Sequence, residues 1–94
     1  MYPKRAWVIV VGVSTVRAGE VRFHLYPQDH EPRHAHGLIG HGQVIVDLRS
    51  DGTVTLAKRP DAVIGANKNE VRKVLHAAVA YYDELVAAWE RMHG

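Results

Sequence analysis

The stretch Glu20-Val21-Arg22-Phe23-His24-Leu25-Tyr26 alternates strictly, with Val21, Phe23 and Leu25 on one side and Arg22, His24 and Tyr26 on the other. Successive side chains of a strand point to opposite faces, so this run predicts a strand with one buried and one polar face. Ala18-Gly19 marks the turn before it and Pro27 its end. Upstream, the run Ala6 to Val13 is apolar on both faces and rich in β-branched residues, which predicts a central strand covered on both sides. Lys4-Arg5 precede it, but eight apolar residues are few for a signal core and too few to cross a bilayer, so a buried strand is the better reading.

Downstream, a polar loop over Pro27 to Arg33 leads to a third strand over His34 to Ile39. Gly40-His41-Gly42 form a turn, and a fourth strand runs from Gln43 to Arg49 with Val44, Val46 and Leu48 inward. The glycines of Gly37 to Gly42 precede no helix, so they read as turn chemistry and not as a phosphate loop. Ser50-Asp51-Gly52 is a hairpin signal into Thr53 to Ala57. Lys58 to Ala66, with Pro60 and Gly65, reads as a connector, and Asn67 with Glu70 three residues on forms a capping-box pattern.

A helix is then expected over about 68–92, its apolar positions Val71, Leu75, Ala78, Tyr82, Leu85, Trp89 and Met92 stepping by four and three. Val74, Val79 and Val86 widen the stripe. The positions that would carry pairing charges in a coiled coil hold Val74, Val79, Tyr81, Val86 and Ala88, so the stripe is read as sheet-facing. Lys68, Arg72 and Lys73 near the start, with Asp83, Glu84 and Glu90 toward the end, oppose the macrodipole of one continuous helix. Such a helix would be about 37 Å long against roughly 24 Å for five strands, so it overhangs the sheet unless it bends. The expected fold is therefore α+β: a mainly antiparallel sheet of four to five strands with one long C-terminal amphipathic helix on one face. A single domain covers residues 1–94, with strands over about 6–57 and a connector over 58–66.

Ninety-four residues with 47% apolar content suit one modest core, for which self-association is a natural source of added stability. The absence of cysteine excludes disulfides and thiolate chemistry and is compatible with a reducing cytoplasm. A net charge of +2, with twelve cations and ten anions well mixed, contains no basic block of the kind that grips nucleic acid. Histidine is the anomaly: five of seven, His24, His30, His34, His36 and His41, fall within eighteen residues.

The chemistry concentrates in Asp29-His30-Glu31-Pro32-Arg33-His34-Ala35-His36. Alternation puts His34 and His36 on one face of a strand, close enough to share a metal ion, and pleat parity gathers Arg22, His24, Tyr26, His34, His36, Asp47 and Arg49 on a solvent-facing side. One reading is a divalent metal such as zinc on His34 and His36, with His30, His24 or Asp29 as third ligand. Another is acid/base catalysis by His30, His34 and His36, with Arg22, Arg33 or Arg49 stabilising phosphate charge. The third is that the imidazoles only satisfy loop and strand hydrogen bonds, with Asp29 organising a turn before Pro32. His41, His76 and His93 read as incidental, and Tyr81, Tyr82 and Trp89 as packing residues.

Phe23-His24-Leu25-Tyr26 followed by Asp29-His30-Glu31-Pro32-Arg33-His34-Ala35-His36 resembles the aromatic strand and (Asp/Glu)-His-x-Pro-x-His-x-His signature of the bacterial family called domain of unknown function 4160. Gln43 to Leu48 resembles the family's next strand and Leu85-Val86-Ala87-Ala88-Trp89 its Leu-x-x-x-Trp close, so the likeness spans about residues 20 to 92. Arg33 stands where the family usually has a second proline, and residues 1 to 19 form a longer lead than usual. The resemblance implies a toxin-antitoxin-like or mobile-element setting beside small partner proteins, and it implies no reaction. The leading expectation is a small cytoplasmic bacterial protein of that type acting on a partner macromolecule through His30, His34 and His36. The alternatives are a small nuclease-like enzyme using the same histidines, with or without a metal, and a structural interaction module. A homodimer is expected, a companion small protein and nucleic acid are admissible partners, and a membrane is not.

Overall fold

Alternating apolar runs separated by glycine turns fold as consecutive antiparallel strands, because each short turn returns the chain beside the strand it has just left. In a computed structural model, which describes residues 13–93, these runs form β1 (Ser14–Ala18), β2 (Val21–Leu25), β3 (His34–Ile39), β4 (Gly42–Leu48), β5 (Val54–Leu56) and β6 (Val63–Ile64). The order is β1-β2-β3-β4-β5, and every pairing is antiparallel. β6 pairs with Gln43 and Val44 while β5 pairs with Val46 to Leu48, so two short strands in succession complete one edge of β4. Two strands go beyond those expected: β1, which lies after the expected strand over Ala6 to Val13, and β6, in the segment expected as a plain connector. The expected strand over Ala6 to Val13 falls almost wholly outside the described residues, and Val13 itself is exposed and not in a strand.

Register follows the hydrophobic pattern, since a slip of one residue would turn every apolar side chain to the wrong face. Phe23 pairs with Val16 on one side and Gly37 on the other. Val21, Phe23, Leu25, Ala35, Ile39, Val44, Val46 and Leu48 form one continuous buried face with Val74, Ala78, Leu85, Ala88 and Trp89 from the helices. Gly37 is required at the centre of this contact: a Cβ there would lie 2.6 Å from Val74 Cγ1 and 3.0 Å from Phe23 Cε1.

The single long helix expected from the sequence is instead two, α1 (Lys68–Ala80) and α2 (Tyr82–His93), hinged at Tyr81. The capping box forms as expected, with Asn67 Oδ1 accepting from the Glu70 amide and Glu70 Oε1 from the Asn67 amide. Neither Pro nor Gly lies at the hinge. The side chain of the next residue is anchored there: the Tyr82 hydroxyl donates to the carbonyl of Arg49 and accepts from Arg33 Nη2 at 3.1 Å. Both halves contribute to one core. The hinge reverses the charge argument. Asp83 and Glu84 occupy the first turn of α2, and Arg91 and His93 its last, the arrangement that a helix dipole favours.

Candidate functional site

The helices cover one sheet face, and the pleat sends the histidines to the other. His24 and His36 are direct cross-strand partners between β2 and β3, and His34 is paired with Asp47 of β4. Parity is therefore as the alternation predicts, but the solvent exposure expected with it is not found. His34 is buried at 7% exposure, and the side chain of His36 retains only 13%. The loop over Pro27 to Arg33 brings Asp29 against both rings, the Trp89 ring lies 5.5 Å from that of His34, and the Tyr26 and His36 rings meet in a T-shape with centroids 4.9 Å apart. Alternation specifies a face and says nothing about what a neighbouring loop lays over it.

The core of the site is a compact triad. Asp29 Oδ2 lies 3.1 Å from Nε2 of His34 and 3.1 Å from Nε2 of His36. One donor atom from each residue falls within 4.8 Å of the other two, so among the described residues these three side chains are the set able to hold a cation together. His34 is oriented from behind, where its Nδ1–H donates to the Pro32 carbonyl at 2.9 Å. Burial pushes the pKa of His36 below its usual value, an effect that the hydrogen bond and the charge of Asp29 oppose and His34 and Arg59 reinforce. The ring is consequently held toward its neutral form.

Asp29 and His34 of the triad border a cleft of about 520 Å³, lined also by Gln28, His30, Glu31, Pro32, Asp47, Ala57, Lys58 and Arg59. His30, a candidate ligand and catalyst, is exposed on this cleft and does not belong to the triad. Arg33 points elsewhere, donating to the Leu48 carbonyl at 3.3 Å and to Tyr82, with Glu90 3.9 Å away, so it braces the α2 hinge. Arg49 is exposed, 4.0 Å from Asp51, and Arg22 is exposed on the interior strand β2, paired with Arg17 and Leu38.

Three contributors escaped the sequence reading. His93, expected to be incidental, stacks on Trp89 with centroids 3.7 Å apart and places Nε2 2.8 Å from the carbonyl of Asp29, tying the end of α2 to the loop that supplies the carboxylate. Trp89, read as packing alone, joins the core to His34. Arg59 lies on the cleft and is held by a two-pronged pair with Asp61 at 2.6 and 3.0 Å. These contacts span up to 64 residues of sequence, and no local periodicity encodes them.

No helix among the described residues is long and apolar enough to cross a membrane. Comparison with curated proteins and with solved structures gave no match. A family model described as Domain of unknown function (DUF4160) matches residues 21–90, which takes in every strand from β2 onward, the triad and nearly all of both helices.

Proposed function

The chain belongs to the DUF4160 family, and on that footing we propose that it is a small cytoplasmic protein of toxin-antitoxin or mobile-element type that engages a companion small protein through the histidine-lined cleft. The observation that supports this reading is the convergence of Asp29, His30, His34, Asp47, Lys58 and Arg59 on one concave polar surface. The mixed signs favour a protein over a nucleic acid. A phosphate backbone is gripped by uniformly cationic surfaces, whereas Asp29, Glu31 and Asp47 share this cleft with the two cations. A companion with paired charges of both signs meets no such penalty.

The test is co-expression with the product of any small gene encoded beside it, followed by co-purification. Lys58→Glu is expected to weaken capture roughly tenfold while leaving the melting temperature within a degree or two of the parent, because the side chain is exposed. Capture that survives Lys58→Glu and His30→Ala but is lost in Val79→Asp would move the interface to the helices and contradict the reading.

A second reading, a small nuclease-like enzyme, is favoured by His36 alone. A partly buried imidazole kept neutral beside a carboxylate has the attributes of a general base. RNA cleavage that disappears in His36→Gln, with folding retained, is what this reading requires.

A further inference from the structure

We propose that Asp29, His34 and His36 bind one divalent transition-metal ion, zinc in the first instance, with coordination positions left open toward the cleft. The proposal does not depend on which macromolecule the cleft engages.

A carbonyl oxygen only accepts hydrogen bonds, so the 2.9 Å contact between His34 Nδ1 and the Pro32 carbonyl places the hydrogen on Nδ1. In the neutral ring Nε2 is then a bare lone pair. That atom is buried, makes no hydrogen bond, and faces Asp29 Oδ2 at 3.1 Å. An ionised carboxylate is also acceptor-only, so two acceptors meet at close range with the nitrogen shut off from water. Such a contact is stable when a cation stands between them. A second ring proton would have to point along the Nε2 to Oδ2 line, and the ring is not aligned to make that bond. A metal ion has no such requirement, because it sits off the line at the apex of a triangle whose base is the pair of donors.

Distances agree with this. Zinc bonds of about 2.0–2.1 Å at tetrahedral angles place neighbouring ligand atoms about 3.3 Å apart. Both Nε2 atoms are already 3.1 Å from the same carboxylate oxygen, and all three donors lie within 4.8 Å of one another. An ion entering there would need shifts of a few tenths of an ångström in the Asp29–His pairs, and the two imidazole nitrogens, within 4.8 Å of each other, would draw together by up to about 1.5 Å. The two nitrogens select zinc, nickel, cobalt or copper over calcium and magnesium, which take oxygen ligands. Three protein ligands leave a coordination position for water or another ligand, as in reactive zinc sites and unlike closed structural ones.

The surroundings are those of a metal site's supporting shell. The Pro32 carbonyl fixes the tautomer and orientation of His34. The Asp29 backbone is held by its amide on the Tyr26 carbonyl at 3.2 Å and by His93 on its own carbonyl. The rings of Trp89 and Tyr26 pack against His34 and His36.

The experiment is calorimetric titration of the full chain, stripped with chelator, with zinc and separately with cobalt(II) at pH 7.5, alongside the visible absorption of the cobalt form. One ion per chain is expected. Asp29→Asn and His36→Gln should weaken zinc binding by roughly a hundredfold or more, beyond what loss of a supporting contact costs, while His30→Ala binds as the parent does. Because His34→Ala removes a buried side chain, the near-isosteric Asp29→Asn carries the test, with its thermal melt confirming the fold. Stoichiometric zinc in the parent that is lost in folded Asp29→Asn supports the site. No stoichiometric binding by the folded parent, or binding unaffected by both substitutions, overturns it. Failure to capture the companion protein alongside intact zinc binding would fell the partner reading and leave the metal site standing.

Discussion

His34 carries more of the structure than a surface histidine would. It is buried, hydrogen-bonded to Pro32 and packed against Trp89, so His34→Ala is expected to cost about 1–3 kcal/mol in the metal-free chain, read by chemical denaturation. Phe23→Ala, at a fully buried core position, should cost about 3–5 kcal/mol in the same assay. His36 predicts a pH dependence. Its folded pKa lies below the ordinary 6.5, so the unfolded chain takes up a proton first as pH falls. The stability tied to its neutral form is present in full above pH 6.5, declines below it and is lost once pH has passed the folded pKa. His36→Gln should flatten that part of the stability profile in chelator-treated protein. At this scale the sequence displayed the residue types and their shared face, because a period of two is local information. It did not display burial, since Asp29, Trp89 and His93 reach His34 and its loop through contacts that only the folded chain creates.

Among the elements, the helical half is the instructive one. Its stripe, its cap at Asn67 and its packing on the sheet all follow from spacing and from the capping-box pair. The hinge at Tyr81 does not, because what fixes it is the docking of Tyr82 onto Arg49 and Arg33, residues of the sheet end. The charge pattern was a clue: Asp83 and Glu84 suit the start of a second helix and not the interior of a single one. Tyr82→Phe should therefore destabilise by about 1 kcal/mol, with the loss shared in a cycle with Arg33→Ala. Asn67→Ala should cost about 1 kcal/mol by removing the cap of α1. Additivity of Tyr82→Phe and Arg33→Ala would contradict the shared anchor. β6 was illegible for a different reason, being two residues long and exposed, with no alternation to read.

For the molecule as a whole, the sheet is a one-sided support: helices on the apolar face, the triad and its cleft on the other. The proposed homodimer belongs here. Tyr81 and Val86 pack partly against the core, but Val79 at 57% exposure, Ile64, Val63 and Leu56 remain as apolar surface. Light scattering is expected to give a mass near twice 10.5 kDa, and a mass of 10.5 kDa at high micromolar concentration would count against association. The buried face of His34 is a lone pair directed, with His36, at one carboxylate oxygen, and the proposed metal ion joins them. Long-range proton–nitrogen NMR of the imidazole rings tests this most directly. In stripped protein His34 should appear as the tautomer protonated on Nδ1, and one equivalent of zinc should shift Nε2 of His34 and His36 while leaving His30 unchanged. A proton on Nε2 of His34, or no response of either ring to stoichiometric zinc, would contradict it.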